Sequence, residues 1–485
     1  MKMSGSRLNA KKINTTIFFN ILSSFILQGI NYFTVPLFSR LLGTAQYGKW
    51  STYNAWLSVI VCVVGLGVGN TLGVGYYDFK EKYYQFRSSI LLFSLTTGIA
   101  LVGITTILCH PLSKCLGYAP ILVILLAAEA VLYSVVGFAN SSFLYEKRAD
   151  LNFIMSLGVT IISVIGSYLL IVNAPQDEKY VARILGGFAS HAIIGVSIVF
   201  LFFLRHPPTI HKEYIQYAVS IGFPIVFHTL SHSLLAQSDR IMMDKLGTPD
   251  YEIGIYSLFY SFSAVLNSIL TALNNSWCPF YYDDLSENAF QRLKKKCHHY
   301  LELYTVLTCG FLLVSREVGM LFGGRDYWSG LNIVPVLVCA VYFIFMYQFP
   351  VNFEFYHKKT RVIAVGTVGA AGLNILLNYF MIPQWGMYGA ALATCIAYLL
   401  LFVFHYIIVT HMKEHKFHLK LVEFAPGFLA VMLAAICYYM LQDMWGIRWF
   451  VGASMNHRAV QNIKKEKHIL KARVGILAEH ICHRG

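Results

Sequence analysis

Runs of some twenty apolar residues, parted by short polar or charged clusters, recur along nearly the whole chain. An α-helix needs about 20 apolar residues to cross a bilayer. The pattern predicts spans at 15–38, 50–72, 89–109, 120–143, 152–173, 181–204, 216–238, 253–276, 299–321, 331–353, 362–382 and 387–410, with a thirteenth at 425–444. The links between them are short, and irregular backbone cannot sit in lipid. The expectation is an all-α polytopic membrane protein with 12 to 14 transmembrane helices.

Composition sharpens this picture. Of 485 residues, 56% are hydrophobic and only 13% charged, about half the charge of a soluble domain. The apolar surface exceeds what one soluble core hides, and lipid takes up the rest. The net charge of +14 comes from short basic clusters between apolar runs, which marks membrane flanks and not a nucleic-acid surface. Lys11, Lys12, Lys80, Lys82, Lys147, Arg148, Arg205, Lys212, Lys294, Lys295, Lys296, Lys358, Lys359, Lys413 and Lys416 all fall on one side of the predicted topology. The positive-inside rule then puts the N-terminus in the cytoplasm. The apolar stretch after "MKMSGSRLNAKK" is too long for a signal peptide and reads as a retained first span. The ten cysteines are scattered without a C-x-x-C and read as small hydrophobes, neither metal ligands nor a disulfide frame.

A repeat lies under the hydrophobic pattern. "SRLLGTAQYGKWS" (Ser39 to Ser51) and "DKLGTPDYEIGIYS" (Asp244 to Ser257) share Leu-Gly-Thr, a polar link, then Gly, an aromatic and Ser, the second copy two residues longer. Six spans separate the copies. An even number relates the halves by an axis along the membrane normal. This predicts two parallel-related six-helix bundles around a central cavity: residues 1–210, residues 211–420, and an additional helix with a basic tail at 421–485. The tail's topology stays open: helix thirteen stops short, "IRWFVGASM" re-enters, or the tail replaces a fourteenth helix. Polar stripes support the cavity. Asn20, Ser24, Gln28 and Asn31 share one face of helix one, and His228, His232 and Asp239 share one of helix seven. Asn267, Thr271, Asn374 and Asn378 add polar positions in helices eight and eleven. Such groups face other helices or water, because lipid would leave them unsatisfied. Taken one at a time they read as interhelical hydrogen-bond glue.

Glu129, in "VILLAAEAVLY", falls near the middle of helix four. A carboxylate there is costly unless protonated or paired, which suits an ion-coupling site; a neutral Glu bonded to a neighbouring helix is the competing reading. Asp239 and Arg240 fall near the outer end of helix seven, beyond Pro224, which is expected to kink it. Arg40 ends helix one about a turn later in the aligned repeat. Arg40 and Arg240 are expected to flank a cavity mouth and hold an anionic headgroup, with a helix C-terminal cap as the structural alternative. The candidate cargo-binding set is thus Gln28, Asn31, Arg40, His232, Asp239 and Arg240. His228 and His232 lack an intervening acid and a third ligand, so no metal site is expected. No Walker A loop, G-x-S-x-G or dinucleotide fingerprint occurs. Gly65, Gly67 and Gly69 in "VGLGVGNTLGVG" read as packing or hinge glycines. No loop is long enough for a catalytic domain, so neither enzyme chemistry nor a cofactor is expected.

"NYFTVPLFSRLLGTAQYGKWS", "SDRIMMDKLGTPDYEIGIYS", "NILLNYFMIPQWGMYGAALATCIAY", Trp277 with Pro279, and "EVGMLFGGRDYW" together resemble the Wzx-type polysaccharide flippases. That family lies within the superfamily of multidrug-and-toxin extruders and the lipid II flippase. The likeness runs from about residue 14 to residue 410. It implies alternating-access transfer of undecaprenyl-pyrophosphate-linked oligosaccharide across the bacterial cytoplasmic membrane, for O-antigen, capsule or exopolysaccharide synthesis. Membrane lipid and other polysaccharide-assembly membrane proteins are the implied partners. The single helix and basic tail depart from the closing helix pair of some members. A cation-coupled multidrug exporter of the same superfamily is the nearest alternative. A polysaccharide polymerase, which would need a large extracytoplasmic loop, is a more distant one.

Overall fold

The computed structural model describes residues 32, 34–412, 419–450 and 452. Among these residues all regular structure is helical. Helix α1 covers 34–61 with a break at Gly43, followed by a 3₁₀ segment at Val64–Thr71. Then come α2 (Leu72–Phe79), α3 (Tyr83–Ile107), α4 (Cys109–Leu116), α5 (Pro120–Tyr145), α6 (Ala149–Asn173), α7 (Lys179–Arg205) and α8 (Lys212–Lys245). The remainder is α9 (Asp250–Ser286), α10 (Phe290–Phe322), α11 (Val334–Tyr356), α12 (Thr360–His411) and α13 (Leu421–Met440). Ten helices among the described residues are long and apolar enough to cross a membrane. At 52 residues, α12 would be roughly 78 Å long as a straight rod, more than twice a bilayer's hydrocarbon core. Gly386, at φ 51° and ψ −128°, breaks it into two spans where the sequence pattern divides 362–382 from 387–410. The chain therefore has the all-α polytopic membrane fold expected of it.

The outward faces confirm the solvent. On α6, Ile154, Ile161, Ile165 and Leu169 are 45 to 64% exposed at helical spacings of seven, four and four. Such a stripe would aggregate in water and is matched by lipid.

The described contacts group into two compact units: residues up to 258 together with 367–390, and residues 259–366 together with those from 391 on. In the first unit, Phe86, Ile90, Leu91, Phe138 and Phe202 centre one core cluster, and Tyr53, Leu57, Leu122, Leu126 and Ile184 another. The second unit is held by aromatic rings. Trp277 stacks on Tyr300 at 4.7 Å and Tyr304 on Phe345 at 4.3 Å.

Within the second unit α13 follows α10 in parallel along its length. Lys294, in the first turns of α10, pairs with Glu423 at 2.5 Å, Gly427 lies against Thr305, and Glu317 near the end of α10 pairs with Arg448. Helix α13, at 20 residues, is long and apolar enough to cross a membrane beside α10. Residues 445–450 form a further helical turn, whose Trp449 Nε1 also donates to Glu317 at 3.2 Å. The first half of "IRWFVGASM" is thereby tied to the end of α10. The basic tail beyond residue 452 lies outside the described residues, as do Lys413 and Lys416.

Candidate functional site

The Leu-Gly-Thr repeat becomes a physical contact within the first unit. Gly43 and Gly247, the central residues of the two motifs, both take left-handed φ, 74° and 81°, which breaks the helical path at each motif. The two segments then run into each other at Gly48 and Gly254. A Cβ on Gly254 would lie 3.0 Å from the Gly48 nitrogen and inside the Thr44 carbonyl, while a Cβ on Gly48 would lie 2.9 Å from the Gly254 nitrogen. The contact is reciprocal, as a local two-fold axis requires. Matched clasps support it. The Gln46 side chain accepts from the Tyr180 N–H at 3.3 Å, and Glu252, two residues before Gly254 as Gln46 is before Gly48, accepts from the Met387 N–H at 2.7 Å. Each clasp satisfies an orphan donor at the start of a span. The two-residue insertion of the second copy is absorbed between Leu-Gly-Thr and these clasps. Lys49 and Asp250 add an ion pair at 3.8 Å.

Glu129 is 3% exposed, nine residues into α5. Tyr53 donates its hydroxyl to Oε2 at 3.0 Å, and His191 Nδ1 lies 3.3 Å from Oε1. The Tyr133 ring sits one turn along α5, 5.0 Å from the His191 ring. A carboxylate with one phenolic donor and one imidazole has a built-in place to pass or hold a proton. Tyr53 and His191, 76 and 62 residues away, are members that the sequence pattern does not reveal.

Asp239 is fully buried. Tyr256 donates to its Oδ2, and the amides of Asn378 and Asn374 donate to Oδ1 at 2.8 and 3.4 Å. Ser238 donates to the Asn374 amide oxygen at 2.5 Å. The polar positions expected in helices seven and eleven are thus brought together around one carboxylate. Such oxygen-rich sets suit a hard cation, but here the amide N–H groups, not their oxygens, face Asp239. Arg240 is 6% exposed, and its guanidinium donates to the Ala236 carbonyl, the Gln237 side chain and Ser257. Arg40 is exposed, in the last turn before Gly43, and His228 and His232 are exposed on α8. Pro224 stands inside a continuous α8. Gln28 and Asn31, with Asn20 and Ser24, lie outside the described residues. Among the described residues no group of three or more His, Cys, Asp or Glu side chains stands ready for a metal.

The second unit holds a pair absent from the sequence reading. Glu354 and His405 are both fully buried, with His405 Nδ1 at 2.9 and 2.8 Å from the two carboxylate oxygens. As Glu129 of α5 meets His191 of α7, Glu354 of α11 meets His405 of α12, so a glutamate–histidine pair occurs in each unit. Among the described residues His405 Nε2 has no hydrogen-bond partner, and its ring edge is pressed against Gly366. Removing one member of a buried pair leaves the other uncompensated, at about 3–5 kcal/mol. His405→Phe is expected to lower the Tm in detergent sharply. The double variant Glu354→Leu/His405→Phe should recover most of the loss. Equal Tm values for wild type and His405→Phe would show that the pair carries no such cost.

Membrane-spanning helices broken at glycines, with two copies of one motif in reciprocal contact, make the architecture of a repeat-bearing polytopic membrane protein. The chain belongs to the polysaccharide biosynthesis protein family, whose family model matches residues 14–281. It is similar to the "Lsg locus putative protein 1" of Haemophilus influenzae, 23% identical over 69% of this chain and 82% of that protein. A second membrane protein of that organism is 21% identical over 74% of this chain and 90% of its own length. Among solved structures, the lipid II flippase MurJ in an inward closed conformation superposes with a TM-score of 0.73 at 15% identity, covering 93% of this chain and 99% of that one. An inward-facing multidrug-resistance MATE transporter gives 0.58 at 12% identity, covering 83% of this chain and 98% of that one. At these identities the structures share the fold.

Proposed function

We propose that this protein carries undecaprenyl-pyrophosphate-linked oligosaccharide from the inner to the outer leaflet of a bacterial cytoplasmic membrane, supplying O-antigen, capsule or exopolysaccharide assembly. The observation that carries the reading is the reciprocal Gly48–Gly254 contact in a member of the polysaccharide biosynthesis family. A duplicated chain that closes on itself through bare backbone has the parts for alternating access, one end shut while the other opens. The two six-helix halves, 1–210 and 211–420, are the bodies that would rock, with the N-terminus cytoplasmic. In this reading Glu129 is the ion-coupling group. Arg40, with Gln28, Asn31 and His232, meets the pyrophosphate or first sugar, and Asp239 and Arg240 brace that end. Membrane lipid and the enzymes that make and polymerise the repeat unit are the partners.

The test is a leaflet-resolved assay in a strain lacking the gene. Lipid-linked repeat units should accumulate on the cytoplasmic face, with the outer-leaflet pool reduced at least tenfold. Units already on the outer leaflet of the mutant would refute the reading. Loss of resistance to cationic drugs without that accumulation would point to the multidrug-exporter alternative instead.

A further inference from the structure

The first unit contains a cavity of about 210 Å³ that none of the roles above uses. It lies where the second span comes apart. Gly65, Leu66 and Gly67 take φ of 68°, 51° and 73° in succession, so the α-helix lapses into the 3₁₀ segment. Gly67 is also packed against Gly222 of α8 so closely that a Cβ there would lie 2.9 Å from the Val226 side chain. Backbone released from helical bonding is tolerated at membrane depth only where protein or a polar cavity receives it. The lining includes Asn70, Ser94, Tyr133, Ser134, Ser141 and the backbone of Gly67. Tyr133, Gly137 and Ser141 stand at steps of four along one face of α5.

This lining has three properties. Among the described residues it holds no Lys, Arg, Asp or Glu, so the described lining offers an anion no counter-charge. It is too rich in hydroxyl and amide groups to receive a hydrocarbon tail without leaving them unsatisfied. Among the described residues none bonds the Asn70 amide, the Tyr133 hydroxyl or the Ser141 hydroxyl, and the Tyr133 ring is 46% exposed. Uncharged donors and acceptors around an exposed aromatic face match a pyranose ring, which offers hydroxyls at its rim and C–H groups on its face. Resting on the flippase reading, we propose that this cavity is a subsite for an uncharged sugar ring of the cargo, separate from the site of the pyrophosphate. Tyr133 lines the cavity and touches His191, which touches Glu129, so the sugar subsite adjoins the coupling carboxylate.

Two lipid probes separate the possibilities: undecaprenyl pyrophosphate, and the same lipid bearing one N-acetylglucosamine. In the wild-type protein the sugar-bearing probe should slow maleimide labelling of Cys62, in the cavity wall, at least fivefold. The sugar-free probe should leave it unchanged, and exposed Cys115 should label at one rate throughout. Asn70→Leu should weaken binding of the sugar-bearing probe about tenfold and leave the sugar-free probe unaffected. Equal protection of Cys62 by both probes, or binding of both with no protection, overturns the subsite while leaving the flippase reading intact. Binding of neither probe by the wild type overturns the flippase reading, and the subsite with it.

Discussion

Gly254→Val is expected to reduce translocation at least tenfold while the protein still inserts and remains folded in detergent. The reason is spatial. The position faces the Thr44 carbonyl and the Gly48 nitrogen, both main-chain atoms that cannot rotate away. Overpacking costs about 1–3 kcal/mol even where side chains can shift, and here only separation of the two helical segments relieves it. The variant would hold this end open and stop the cycle. Gly48→Val should do the same from the other side of the local axis. The check is outer-leaflet delivery of lipid-linked sugar in proteoliposomes, with Tm as the control for folding. Wild-type delivery by both variants would mean the contact need not close during transport.

Glu129→Gln is the second large effect. The amide keeps the shape and can still accept from Tyr53, but it carries no charge and cannot take up or release a proton. His191 loses its anionic partner at the same time. Uphill delivery driven by an imposed pH gradient should fall at least tenfold, whereas passive exchange of cargo between leaflets should persist. Gradient-driven delivery at the wild-type rate would remove Glu129 from the coupling role.

Much of this architecture was legible in the sequence because hydrophobic runs encode spans directly. The predicted stretches 120–143, 152–173 and 181–204 fall within α5, α6 and α7. The Leu-Gly-Thr repeat was visible because it depends on glycines where φ must be positive. Gly65 and Gly67 stood out as packing or hinge glycines, but the lapse into a 3₁₀ segment was hidden, since glycine between valines and leucines scores as apolar whatever its backbone does. Side-chain partners were hidden for another reason. Nothing local tells Glu129 that Tyr53 will reach it, or Glu354 that His405 will, because those meetings are set by packing of distant helices. Arg240 illustrates the limit from the other side. Its position suggested a cavity mouth, whereas in the fold Ala236, Gln237 and Ser257 engage its guanidinium.

The depth of Glu129 carries an electrical consequence. Nine residues into α5, the carboxylate is about 14 Å along the helix, well inside the insulating layer. A full charge crossing the membrane gains about 2.3 kcal/mol per 100 mV, so a proton reaching this site from one face feels on the order of 1 kcal/mol for the same voltage. In the coupling role proposed for Glu129, membrane potential alone would then drive a proton toward the site with no pH difference across the bilayer. An energised cell could load this site by voltage, by proton gradient, or by both.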